Sequence, residues 1–345
     1  MNIHKTAARA LLVLAALVGP ALAWSADAPE ASASAAVAAA ASAPAAASAP
    51  ASRASQQGTE YTEKGADTCN ECHDAESSDN NWQYAAIFHG KHGQRNNPRA
   101  PFGPGGLQCE ACHGPGAHHA GKGYSKKLSI NSFKPDSHYS VEYRNQACLA
   151  CHENQNRNAW HTGAHERAGL ACTDCHKIHQ ERDKVRERAT QAQVCEGCHK
   201  QQRADFDRPS AHPVRQGRLV CTDCHQPHGT SNPSMLVGAT INQTCYSCHA
   251  EKRGPLLWEH APVAEDCTLC HRAHGSVRPT LLVQSQPLLC QQCHSVAGHP
   301  SVARTAAGLP GGAAGPSVFL LAGACTNCHT QVHGSNHPSG SKLLR

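Results

Sequence analysis

A chain of 345 residues with only 4% aromatic residues and a mean hydropathy of −0.50 has too few large apolar side chains to fill an ordinary core. Its 20 cysteines and 26 histidines argue against disorder and for a covalent or metal-bearing framework. The formal charge of +5 takes its meaning from what that framework carries.

The chain opens on a basic stretch with Lys5 and Arg9, an apolar run over residues 11–18, and small residues suited to cleavage after Ala23 or Ala26. Residues 1–26 therefore read as a secretory signal peptide. The apolar run is shorter than the roughly 20 residues a membrane-spanning helix needs. No later stretch reads as a spanning helix or as a series of barrel strands, so a membrane passage would need a second protein. Residues 27–58 are almost wholly Ala, Ser and Pro, the composition of a flexible tether.

From residue 59 to 345 a repeat takes over. The pentad Cys-x-x-Cys-His occurs ten times and uses every cysteine. In chain order the pentads are Cys69, Cys72 and His73; Cys109, Cys112 and His113; Cys148, Cys151 and His152; Cys172, Cys175 and His176; Cys195, Cys198 and His199. They continue as Cys221, Cys224 and His225; Cys245, Cys248 and His249; Cys267, Cys270 and His271; Cys290, Cys293 and His294; Cys325, Cys328 and His329. Such regular recurrence marks a chain of similar stacked units.

The pentad is the attachment signature of c-type haem. On one helical turn, residues three apart share a face, so two sulfurs can reach two vinyl positions of one porphyrin while the adjacent imidazole turns onto the iron. Zinc or disulfides would account for paired cysteines, but neither needs a histidine after every pair. Ten haems would also supply the missing core, with several kcal/mol of apolar burial each at ~25 cal/mol per Å². The fold class expected is a multihaem cytochrome c: mostly coil, short α-helices, little or no β, and an extended row of ten haems at the centre. Two propionates per haem outweigh the basic charge, so Lys and Arg read as their partners and nucleic acid is not an expected one.

The second axial ligand decides reactivity. Methionine is nearly excluded, since the sequence has only Met1 and Met235. Fifteen histidines lie outside the pentads and beyond residue 26. The pentads form five two-haem modules, each with one such histidine between its members and one just after. This pattern selects His92, His119, His165, His179, His212, His228, His260, His274, His299 and His333 as distal ligands. His89 competes with His92, and His118 with His119. In "CHKIH" (175–179) and "CHQPH" (224–228) the second histidine is too close to the first to serve the same iron, so it is lent to a neighbouring haem. Two imidazoles on every iron leave no open position, which describes an electron-transfer protein and not an enzyme.

The ten pentads, "RAPFG" (99–103) leading into "CEACHGPGAHH" (109–119), "CTDCHQPHG" (221–229) and "VHGSNHPSG" (332–340) resemble the MtrA/DmsE-type periplasmic decahaem cytochromes, with their iron-oxidation relatives PioA and MtoA. The resemblance covers about residues 65–345. It implies bis-histidine haems in an extended row, periplasmic and associated with the outer membrane through a porin-like β-barrel. Further partners implied are an outer-surface multihaem cytochrome or terminal reductase, and periplasmic or inner-membrane cytochromes. The implied function is electron passage between periplasm and extracellular acceptors or donors such as iron minerals. A soluble periplasmic carrier feeding a reductase and a multihaem oxyanion reductase stand as alternatives. A β-barrel partner would separate the first, an open iron the second.

Overall fold

Nine of the ten pentads close on a hydrogen bond from the histidine N–H to the carbonyl of the first cysteine, at 2.9–3.1 Å. The tenth lies inside the Val141–His152 helix. Each pentad is thus one helical turn, the conformation that puts its two sulfurs on one face. This computed structural model describes residues 56–73, 84–154, 157–295, 324–338 and 340–344, all within the unit Ala51–Arg345. The expected signal peptide, most of the tether and His299 lie outside the described residues.

Among the described residues the Val141–His152 helix, 12 residues, is the longest. It contains no Gly or Pro, and the Ser140 hydroxyl accepts from the Tyr143 N–H at its start. The other helices are α or 3-10 segments of seven residues or fewer, cut short by the Gly, Pro and polar runs between pentads. Strands β1 (Ser210–Ala211) and β2 (Gly275–Ser276) pair antiparallel in the one described sheet. The chain is mostly coil with short helices and little β-structure, as the composition predicts.

Apolar side chains fill little of the interior. The two largest fully buried side chains among the described residues are Asn131 and Ser129, both polar. Instead, a continuous cavity of about 4770 Å³ is lined by nine pentads, from Cys112 to Cys328. That is about 530 Å³ per pentad, within the ~300–1,000 Å³ usual for one small-molecule site.

Two repeated devices shape the cavity. First, an amide ahead of one pentad clamps the turn of its module partner. Asn145 Oδ1 accepts from the Cys172 N–H at 2.8 Å, and Asn242 Oδ1 from the Cys267 N–H at 2.8 Å. Gln191 and Gln286 do the same for Thr222 and Thr326, and in the first module Gln108 accepts from Ala66. Second, the glycine after His228, His274 and His333 permits close docking on an earlier segment. Gly229 has φ +101°, and a Cβ there would sit 2.3 Å from the Ala159 carbonyl. Gly334, at φ +119°, lies equally close to Leu256 and precedes the bridge between Trp258 and Ser335.

A candidate haem-ligand array

The histidines outside the pentads converge on those inside them. His73 faces His119 with ring centroids 6.2 Å apart, His113 faces His179 at 6.1 Å, and His152 faces His92 at 5.8 Å. His176 faces His228 at 6.0 Å, His199 faces His165 at 6.1 Å, and His225 faces His274 at 6.0 Å. His249 faces His212 at 6.4 Å, His271 faces His333 at 6.1 Å, and His294 faces His260 at 6.0 Å. His329 is the remaining pentad histidine, and His299 is the remaining sequence-selected one.

The separation is informative. Three of these pairs are within 16° of parallel, yet their rings are not in contact. A stacked pair in van der Waals contact is seen at His118 and Tyr124, whose centroids are 4.0 Å apart. Two imidazoles bound to one metal from opposite sides stand apart by twice the ~2.0–2.1 Å metal–nitrogen distance plus one ring width, about 6 Å in all. The interplanar angles run from 11° to 75°, as expected where each ring can rotate about its metal bond while the spacing stays fixed. The residues present fit a haem iron between each pair.

Hydrogen bonds set the tautomer. Nδ1 of His113, His225, His271 and His329 meets the carbonyls of Asn131, Ser234, Thr280 and Lys342. Nδ1 of His165, His212 and His260 meets those of Pro227, Ala273 and Val332. A carbonyl only accepts, so Nδ1 carries the proton and Nε2 keeps its lone pair for a metal. Ser234 and Thr280 hold left-handed backbone, φ 50° and 53°, at about 1–3 kcal/mol each, and this conformation aims their carbonyls at the imidazoles. Nδ1 of His119 and His179 is buried without a partner among the described residues. Burial pulls His92, His113, His119, His152, His179, His274 and His333 below the usual histidine range, and His228 down to about 4. These rings are neutral at pH 7, the form that binds iron.

The cysteines link the pentads in chain order. The first cysteines of module partners lie within hydrogen-bonding reach: Cys69 with Cys109, Cys148 with Cys172, Cys195 with Cys221, Cys245 with Cys267, and Cys290 with Cys325. Between modules the second cysteines come close: Cys112 to Cys151, Cys175 to Cys198, Cys224 to Cys248, and Cys270 to Cys293. Burial pushes the Cys112, Cys175, Cys224 and Cys270 thiols up, so each junction is desolvated. Among the described residues no cluster of three or more His, Cys, Asp or Glu side chains could hold a bare metal ion, and all twenty cysteines are free of disulfides.

The histidines left over go elsewhere. His118 packs on Tyr124 and meets the Gln56 carbonyl, and His161 lies 4.0 Å from Glu166. The amide clamps were missed in the sequence, although a polar amide three or four residues before Cys148, Cys195, Cys245 and Cys290 was there to find. Gln56 and Gln57, assigned to the tether, bond to Leu128, His113 and Tyr143.

Repeated Cys-x-x-Cys-His turns, nine of them facing a second imidazole, define a multihaem c-type cytochrome. A family model described as a doubled CXXCH motif matches residues 212–254 and 260–299, and one described as cytochrome c-type protein NrfB-like matches residues 109–190. The chain is 45% identical over 285 residues to the multiheme cytochrome MtrA of Shewanella baltica, covering 83% of each chain. It is 26% identical over 151 residues to the cytochrome c-type protein NrfB of Haemophilus influenzae, 39% of this chain and 64% of that one. The chain belongs to the MtrA family of multihaem cytochromes, which are electron-transfer proteins and not enzymes.

Proposed function

We propose that the chain holds ten c-type haems, each between two imidazoles, and carries electrons between the periplasm and redox partners at or beyond the outer membrane. The observation that carries this reading is the set of nine imidazole pairs 5.8–6.4 Å apart, each joining one pentad histidine to one outside the pentads. Bound there, haem iron supplies reversible one-electron chemistry. The cysteines would fix the group to the chain, and each facing pair of imidazoles would hold its iron and exclude substrate.

In this assignment neighbouring modules exchange ligands. His92 serves the pentad at Cys148, while His179 serves the one at Cys109. The same reciprocal exchange joins His165 and His228, His212 and His274, and His260 and His333. The ends close on their own modules, through His119 and, by elimination, His299. The alternating cysteine contacts then make the row follow the chain from Cys69 to Cys328.

The similarity to MtrA and the sequence support this setting. Among the described residues no helix is long and apolar enough to cross a membrane; in the proposed setting a porin-like β-barrel from another chain would surround the cytochrome in the outer membrane. The terminal partners are an extracellular metal or mineral and the cytochromes on either side. Purification from membranes tests this reading, with haem counted by mass and companions identified. Ten haems and a co-purifying barrel are expected. Ten haems on a soluble protein without a barrel would make it a periplasmic carrier. A high-spin ferric band with nitrite or hydroxylamine turnover would make it a reductase.

A further inference from the structure

The second pentad of each module differs in what accepts its imidazole proton. His113, His225, His271 and His329 face backbone carbonyls, at 2.7, 3.0, 2.8 and 2.7 Å. His176 alone of these five faces a carboxylate, Asp183 Oδ2, at 2.7 Å. The other oxygen, Oδ1, takes the Lys177 N–H at 3.3 Å, and the side chain is only 17% exposed. The sequence accounts for the difference. After Cys224 and Cys270 the runs "HGTSNPSMLV" and "HGSVRPTLLV" fold back and present a carbonyl nine residues beyond the imidazole. After Cys175 the run is "HQERDKVR", without Gly or Pro, and Asp183 arrives at seven residues.

We propose that Asp183 sets the reduction potential of the iron attached at Cys172 and Cys175, holding it below those whose imidazole faces a carbonyl. A charge-assisted hydrogen bond is roughly twice as strong as a neutral one. It draws the Nδ1 proton and makes the imidazole a more basic donor. A more basic donor stabilises the ferric state over the ferrous one, so the potential falls. No bond is made or broken, and Asp183 acts only through His176. The inference rests on His176 being an iron ligand. It puts a local energetic step at the fourth of ten positions, the site reduced last and oxidised first among its neighbours.

The test uses the full haem-loaded chain carrying D183N, with haem counted by mass, spin state read from the ferric spectrum and potentials from a spectroscopic titration. With ten low-spin haems retained, one tenth of the titration amplitude should move to higher potential. D183E, which keeps the carboxylate, should restore the original curve. D183S offers a second neutral variant should D183N load poorly, and it should shift the same tenth. A curve unchanged in the neutral variants overturns the proposal. His176→Ala tests the underlying reading separately. If it yields one high-spin haem while D183N changes nothing, only the tuning role falls. If every haem stays low-spin in His176→Ala, ligation by His176 falls and the tuning role with it.

Discussion

Replacing Asn242 with Ala should loosen one haem-attachment turn by a calculable amount. Asn242 is 5% exposed and donates to the Val263 and Ala264 carbonyls at 2.9 and 3.1 Å, while accepting from the Cys267 N–H at 2.8 Å. Each such bond contributes about 1 kcal/mol net, and water regains part of the loss at the carbonyls, so the turn should weaken by roughly 2–3 kcal/mol. With 1.4 kcal/mol per tenfold, local opening becomes about 30–150 times more frequent. Global unfolding of a multihaem chain would blur this, so the assay is hydrogen exchange by mass spectrometry on the peptide across residues 260–272 of the haem-loaded protein. Asn145→Ala should do the same across residues 165–177, because its bond to Cys172 has the same length. Peptides near residues 99–113 should not change. Exchange within about threefold of the wild type at full haem content would refute the clamp as a source of local stability.

His212→Met should raise the potential of one iron, and adding Cys245→Ala and Cys248→Ala should abolish that raised component; removing Cys195 and Cys198 should not. Arg215→Met should cost about 2 kcal/mol in denaturant unfolding, because buried Glu196 loses bonds of 2.8 and 2.9 Å; Glu196→Gln in the same chain should recover part of it. The Arg188 guanidinium holds Asp223 below the usual carboxylate range. Its contribution is full above the ordinary aspartate value near 3.9 and is lost as pH falls through the depressed one. Unfolding curves of Arg188→Gln and wild type should therefore differ at pH 6 and converge in acid.

The sequence shows the pentads, their pairing into modules and the shortage of ordinary core directly, because each is a matter of counting and spacing. Aligning "GKH" with "GAH" favours His92 over His89, whereas no motif in the sequence separates His119 from His118. The structure sets both rings opposite pentad histidines, at His152 and His73. The exchange partners were not legible. His179 is three residues from His176 but faces His113 in the preceding module, and no local period encodes a pairing that spans a whole unit. Asp183 looked like one charge in a polar run, since only the fold brings it to an imidazole.

The proposed exchange of histidines would give biogenesis an unusual order. In that assignment His113 would meet the ring facing it, His179, only once the next module has been made, so sulfur attachment would precede completion of the pair by a full repeat. A premature stop before Cys325 would show the converse. It would delete one attachment site and also remove His333 from its place opposite His271, while His260 and His294 between them stayed paired. The lesion would skip a position, and a vacancy two sites upstream of a nonsense codon would be its spectroscopic mark.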